Sequence, residues 1–245
     1  MHPGWRLLLI PQIRKHMKTL LIIAAIAAIH LEKPITNEAN MYPDLENYLK
    51  QALTDTANIP AERKEGLNEL ADFIQEQRDA KQPVQLTFIC THNSRRSHFG
   101  QVWAAVAAAH FGVDDGLTTF SGGTEATAFN PRAVAALQRA GLQVENPGGD
   151  NPKYTVGFAN DKAALTCFSK KYDDASNPQG QFAAIMTCSD ADRNCPIVPG
   201  AIARIAMPYN DPKAFDGTRE EAAKYDERCR QIASEMLYVM SRVKP

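Results

Sequence analysis

The chain of 245 residues has few cysteines and almost no net charge, and each shortage excludes a class of protein. Five cysteines are an odd number at low density, which excludes the disulfide framework of a small secreted domain and favours reduced thiols. A formal net charge of −1 gives no global field that would attract nucleic acid or an acidic membrane surface. Internal repeats and low-complexity tracts are also missing. We therefore expect one main domain with additions, in which any anion is bound by a local site.

The N-terminal 40 residues contain an apolar run, residues 19–29, that is too short for a membrane span. The run follows basic residues and resembles the core of a signal peptide. Alternatively, translation begins at Met41 and residues 1–40 are upstream sequence. We expect a cytoplasmic protein, or an exported one if residues 17–30 act as a signal peptide.

Alternating strand and helix patterns after residue 83 predict an α/β fold. Two amphipathic helices, at 45–53 and 61–78, predict a helical extension over residues 41–82. The later strands and helices predict a parallel sheet with helices on both faces over residues 83–245. Predicted strands are at 84–89, 117–121, 182–187 and 202–207, and predicted helices are at 99–110, 131–140 and 218–243. Residues 151–180 interrupt the alternation. Lys170, Lys171 and Tyr172 could line the mouth of the site, but we predict that the segment forms a solvated insertion with a hairpin.

The first strand of this pattern runs into a short polar segment that combines a thiol with an arginine. The segment reads Cys90, Thr91, His92, Asn93, Ser94, Arg95, Arg96 and Ser97. A strand, a tight loop and a helix in this order direct backbone N–H groups and a helix N-terminus toward one anion. Such surroundings favour the thiolate of Cys90, and the Arg96 fork can bind two oxygens of a tetrahedral oxyanion. We therefore predict an oxyanion site with Cys90 as the nucleophile and the remaining residues as its cradle.

Two further strand ends carry reactive side chains. Cys188 and Cys195 share one polar loop, and six intervening residues are too many for a structural zinc site but few enough for a disulfide. Incidental thiols and an unusual metal site are the alternatives. Asp211 precedes a proline that restricts its backbone, which makes it a candidate general acid. Because active loops lie at the carboxyl ends of parallel strands, we expect Cys90, Cys188 and Asp211 to converge.

These motifs resemble the thioredoxin-coupled arsenate reductase branch of the low-molecular-weight protein tyrosine phosphatase superfamily. The resemblance covers roughly residues 84–243 without the insertion, and it implies a flavodoxin-like sheet topology. Besides the cysteine–arginine loop, the matching motifs are Cys188 with Cys195-Pro196, Ser121-Gly122-Gly123, Asn130-Pro131-Arg132-Ala133-Val134, and Asp211-Pro212 followed by Asp216-Gly217-Thr218.

The resemblance implies a disulfide relay. Cys90 would attack arsenate held by Arg96 and the loop, while Asp211 protonates the departing oxygen. Cys188 would then attack Cys90 and release arsenite. Cys195 would attack Cys188, which leaves a disulfide for thioredoxin to reduce. No tightly bound cofactor or metal is implied.

The chain departs from this branch at several positions. Some relatives bind potassium near the loop; Asn93 and Ser121 match that site, but Gln101 replaces its glutamate, which argues against potassium here. His92 and Arg95 replace a glycine and a cysteine, and they either add positive charge around the anion or face solvent.

Two other functions stay open at this point. The first is a phosphatase that hydrolyses phosphomonoesters, in which Cys188 and Cys195 protect Cys90 from over-oxidation. The second is a redox-sensing or oxyanion-binding module without catalysis.

Overall fold

Four parallel strands form the central sheet of the computed structural model, which describes residues 39–194 and 197–245. The strands are β1 (Val84–Cys90), β2 (Leu117–Gly123), β6 (Phe182–Met186) and β7 (Ala201–Ala206), in the spatial order β2-β1-β6-β7. Buried residues run almost without a break along β1 and β6, as the inner strands of a sheet covered on both faces require. The predictions of a signal peptide or an upstream start concern residues 1–40, of which residues 1–38 lie outside the described residues.

Six α-helices surround the sheet in this part of the chain. They are α1 (Pro43–Asp55), α2 (Ala61–Asp79), α3 (Arg96–His110), α4 (Pro131–Arg139), α5 (Ser189–Asn194) and α6 (Glu221–Met240), with short 3-10 helices at Thr56–Asn58 and Pro212–Phe215. On one face the larger helices pack on Phe88 and Ile185, and on the other α5 packs on Ile89 and Met186. The predicted fold class is confirmed, including the helical extension formed by α1 and α2. None of these described helices is long and apolar enough to cross a membrane.

A second, antiparallel sheet lies within and before the predicted insertion. Its strands are β3 (Gln143–Glu145), β4 (Tyr154–Gly157) and β5 (Leu165–Cys167), in that order. The structure therefore contains the predicted hairpin, and the short strand near residue 143 pairs with it rather than with the parallel sheet.

Two local predictions are wrong. The last helix begins at Glu221 instead of Thr218, because the Thr218 hydroxyl accepts the Glu220 N–H within a preceding turn. Residues 189–194, predicted as part of a polar loop, form α5, whose first turn carries acidic side chains that a helix N-terminus favours.

Candidate active site

The ends of β1 and β6 bring the predicted nucleophile next to the second cysteine. Cys90 is the last residue of β1, and Ile89 lies opposite Met186 in the register. Thr187 fastens the two strand ends together, since its N–H and its hydroxyl both donate to the Ile89 carbonyl oxygen, at 2.7 and 2.8 Å. Cys188 therefore emerges directly beside the cysteine–arginine loop.

Cys90 is buried and its sulfur faces the Ser97 hydroxyl at 3.1 Å. The Asn93 side-chain amide donates to the same hydroxyl oxygen at 2.9 Å. The Ser97 hydroxyl therefore connects the predicted nucleophile to the Asn93 side chain.

The backbone of the loop supplies unused donors. Among the described residues, the N–H groups of residues 91–95 donate to no backbone carbonyl oxygen. Asn93 adopts the left-handed conformation with φ of 44°, and the Ser94 hydroxyl ties the loop to the Ala128 carbonyl at 2.7 Å. Immediately after the loop, α3 begins and adds the partial positive charge of a helix N-terminus. The loop is thus shaped to bind an oxyanion through its backbone.

Arg96 is the first residue of α3, and both terminal nitrogens of its guanidinium donate hydrogen bonds within the protein. One terminal nitrogen donates to the Tyr209 carbonyl at 2.9 Å and the other to the Asp211 carboxylate at 2.8 Å. The Arg96 Nε–H is buried and has no hydrogen-bond partner within the described residues. The predicted general acid therefore lies against the predicted anion-binding arginine, and the buried Nε–H remains as a donor for a ligand.

The contacts of Arg95 exclude the solvent-facing alternative predicted for it. Its side chain is buried, its Nε donates to the Tyr225 hydroxyl at 2.8 Å, and its guanidinium lies 3.7 Å from Asp216 and 3.9 Å from Asp211. Burial raises the pKa of Tyr225 to about 12, so its hydroxyl keeps a proton and donates it to Asp216. Arg95 thus does not face solvent, because α6 and the Asp211 loop provide its partners.

His92 and Thr91 form the outer part of the loop. The His92 ring is half-exposed and lies 3.6 Å from the exposed Glu125 carboxylate. The Thr91 hydroxyl lies 3.5 Å from the Cys188 sulfur. This contact links the cysteine–arginine loop directly to Cys188.

Cys188 is buried just before the first turn of α5. Its sulfur accepts the Ala191 N–H at 3.3 Å, so the N-terminal turn of α5 supplies a donor to the sulfur. Cys195 lies outside the described residues, and its predicted partnership with Cys188 stays a prediction. Cys167 and Cys229 lie in the core as predicted, where burial raises the pKa of each thiol to about 12.

The prediction of a solvated insertion is wrong for the segment after β5. Ser169 and Lys170 are almost fully buried against the cysteine–arginine loop. The Ser169 hydroxyl donates to the His92 carbonyl at 2.9 Å, and the Lys170 N–H donates to Asn93 Oδ1 at 2.9 Å. The cluster of polar residues at 169–172 was the only signal in the sequence, and it does not specify these partners.

The helical extension also reaches the site, which sequence reasoning missed. Arg63 of α2 makes a bidentate ion pair with the buried Glu235 of α6, and its guanidinium lies 4.6 Å from the centre of the Tyr209 ring. The Tyr209 hydroxyl donates to the same carboxylate at 2.7 Å. Since the Tyr209 carbonyl holds Arg96, the extension supports the anion-binding arginine through one intervening residue.

The residues that match a potassium site have partners within the protein. Asn93 Oδ1 accepts the Lys170 N–H, and the Ser121 hydroxyl lies 3.2 Å from the His98 ring. In the described ranges, no cluster of three or more His, Cys, Asp or Glu side chains is arranged to hold a metal ion.

Comparison with known proteins gives no matching family model, but curated relatives agree on one activity. The chain is 29% identical to an arsenate reductase of Bacillus licheniformis over 153 residues, which are 61% of this chain and 89% of the relative. It is 27% identical to an arsenate reductase of Bacillus subtilis over 143 residues, which are 58% of this chain and 84% of the relative.

Solved structures with a similar course of the chain include an arsenate reductase from Archaeoglobus fulgidus, with a TM-score of 0.42 and 13% identity over 64% of this chain and 98% of that one. A low-molecular-weight phosphotyrosine phosphatase from Vibrio cholerae has a TM-score of 0.43 and 12% identity over 64% of this chain and 94% of that one. The strand order β2-β1-β6-β7 and the helices between the strands define the fold. The curated relatives confirm the resemblance to arsenate reductases that the site motifs predict.

Proposed function

We propose that this chain reduces arsenate through a cysteine relay that starts at Cys90. The Cys90 thiolate attacks arsenic, and an oxygen departs as water after protonation by Asp211. The free N–H groups of the loop and the Arg96 Nε–H hold the remaining arsenate oxygens. This first step forms a sulfur–arsenic bond and leaves arsenic in its pentavalent state.

The second step reduces arsenic by two electrons. The Cys188 thiolate attacks the Cys90 sulfur, a disulfide forms, and the electron pair of the sulfur–arsenic bond stays on arsenic, which leaves as arsenite. Cys195 then attacks Cys188 and releases Cys90 as a thiolate. Two thiols are thus oxidised for each arsenate reduced, and an external dithiol must return the two electrons.

The observation that carries this proposal is the position of Cys188. Its sulfur accepts a hydrogen bond from the N-terminal turn of α5 and contacts Thr91, which directly follows Cys90. A hydrolase has no step that needs a second thiol there. The curated arsenate reductases support an enzyme of this kind.

The electron donor and the location belong to the same proposal. A thioredoxin-like dithiol protein fits because the relay ends in a disulfide that a second dithiol can reduce. The buried free thiols Cys90, Cys167, Cys188 and Cys229 suit a reducing compartment, in agreement with the predicted cytoplasmic location.

A single turnover tests the proposal. Fully reduced protein is mixed with arsenate, arsenite and lost thiols are counted together, and the new disulfide is mapped by mass spectrometry. We expect one arsenite per two thiols lost, with a disulfide between Cys188 and Cys195. Cys90→Ser and Cys188→Ser should form no arsenite, whereas Cys167→Ser, a core position outside the relay, serves as the matched control.

Hydrolysis of p-nitrophenyl phosphate, measured in the same preparations, distinguishes the reductase from the alternative function, a phosphatase. Phosphatase activity that survives in Cys188→Ser, without arsenite formation in the native protein, would replace the reductase by a phosphomonoester hydrolase. Arsenite formation by Cys90→Ser would exclude Cys90 as the nucleophile, which both the reductase and the phosphatase mechanisms require.

A further inference from the structure

We propose that the outer edge of β7 and the face of α2 beside it form the docking surface for the dithiol protein that reduces the relay, and that this partner is basic around its cysteines. The proposal rests on the proposed function, because only a relay that ends in a disulfide needs such a partner. It assigns a role to the helical extension, which the resemblance to arsenate reductases does not cover.

The solvent-facing side of α2 carries a row of carboxylates. Residues three or four apart lie on one face of a helix. Four exposed carboxylates follow this spacing and form what we call the acidic stripe: Glu65, Glu69, Asp72 and Glu76. In the described part of the chain, none of them forms an ion pair. The stripe is therefore a local concentration of uncompensated negative charge in a chain whose formal net charge is −1.

An apolar groove of about 500 Å³ separates the acidic stripe from β7. Its apolar lining includes Phe73 of α2 and Ile205 of β7, together with Ile202, whose surface is 46% exposed. β7 is the last strand of the sheet, so its outer edge pairs with no other described strand. An open strand edge with an exposed apolar side chain is suited to bind an extended segment of another protein.

The groove is continuous with the segment that contains the last cysteine of the relay. Arg204 of β7 donates to the carbonyl and the carboxylate of Asp192, at 2.6 and 2.7 Å, and thereby fastens α5 to the edge strand. Ile197 follows Cys195 by two residues in the sequence, and its side chain is 80% exposed. Among the described residues, Ile197 and Ile202 are the large apolar side chains exposed to solvent. A partner seated in the groove is therefore next to the chain that carries Cys195.

Charge decides which occupant fits the groove. The acidic stripe repels nucleic acid, anionic lipids and the stripe of a second copy of this chain. It attracts a protein with lysine or arginine side chains, and complementary charge increases both the rate and the specificity of association. A basic dithiol protein with an apolar side chain for Ile202 therefore matches both the charge and the shape of this surface.

Two synthetic peptides test this preference. Both contain a Cys-X-X-Cys dithiol with leucine on each side, and they differ only in their flanks, which are lysines in one and glutamates in the other. Binding is measured by fluorescence anisotropy with versions in which serine replaces both cysteines. The double variant Glu69→Lys/Asp72→Lys reverses the stripe, and Glu145→Lys/Asp150→Lys is the matched control, since it makes the same change in net charge at exposed positions in and after β3.

We expect the lysine peptide to bind the native protein about tenfold more tightly than the glutamate peptide at low salt. The preference should disappear at about 1 M salt, where the Debye length is about 3 Å. Glu69→Lys/Asp72→Lys should lose the preference, whereas the control variant should keep it. Ile202→Ser should weaken the binding of both peptides.

Equal binding of the two peptides by the native protein at low salt would overturn the proposal. An equal loss of preference in the stripe variant and in the control variant would also overturn it, because net charge and not the stripe would then be the cause. Arsenate turnover with the dithiol peptides and with uncharged dithiothreitol separates this proposal from the proposed function. Arsenite formation with dithiothreitol but no peptide preference would contradict the docking surface alone, whereas peptide preference without arsenite formation by any dithiol would contradict the reductase.

Discussion

A buried histidine in α3, the helix that follows the cysteine–arginine loop, makes the stability of this protein sensitive to mild acid. His98 is fully buried in α3, and its ring stacks on Phe129 with centroids 3.9 Å apart. Burial, followed by the positive charge of Lys170, lowers the pKa of His98 to about 3. The ring is therefore neutral in the folded protein throughout the range in which enzymes of this kind are assayed.

The unfolded chain behaves differently, because a solvated histidine binds a proton below a pKa of about 6.5. Between these two pKa values the unfolded state holds one proton more than the folded state, so the free energy of unfolding falls as the pH falls. For His98 alone, lowering the pH from 8 to 5 removes about 2 kcal/mol of stability.

Urea unfolding of the native protein and of His98→Phe at pH 8, 6.5 and 5 measures this effect. Phenylalanine keeps an aromatic ring against Phe129 and removes the titrating group. Carboxylates titrate alike in both proteins, so the difference between them isolates His98. We expect the stability of the native protein relative to the variant to fall by about 2 kcal/mol from pH 8 to pH 5. A difference that stays constant with pH would refute the reasoning, since it would mean that the folded protein accommodates the charged ring.

Two further predictions concern contacts with the site. Arg63→Met removes the cation that pairs with the buried Glu235, and we expect the free energy of unfolding in urea to fall by about 3 kcal/mol. The control is the double variant with Glu235→Gln, which should recover stability. A loss below about 1 kcal/mol in Arg63→Met would contradict the buried pair. Gly123→Ala places a Cβ 2.7 Å from the Asn93 nitrogen and 2.3 Å from the Glu125 carbonyl, and we expect it to displace the loop and weaken phosphate binding measured by calorimetry. Native affinity for phosphate in folded Gly123→Ala would show that the loop tolerates the shift.

The sequence predicts those parts of the site that are formed by residues close to one another in the chain. The run from β1 through the cysteine–arginine loop into α3 is continuous, so the nearness of Cys90, Ser97 and Arg96 follows from local geometry. The buried character of β1 and β6 shows directly in their apolar runs. The meeting of Cys90 with Cys188 follows from one general rule, that parallel strands end at the same edge of a sheet.

The partners of the polar side chains were decided only by the tertiary structure. Lys170 meets Asn93 across 77 residues, Arg95 meets Tyr225 across 130, and Arg63 meets Glu235 across 172. Hydrophobic periodicity reports which face of an element is buried, but it does not report which distant donor meets which acceptor. A hydrogen bond is directional and short, so its partner is fixed only when packing has set the position of each backbone. Sequence alone therefore determined the candidate nucleophile, the cysteine–arginine loop and the sheet, whereas packing decided that the insertion and the helical extension contact that loop and the residues that hold its arginine.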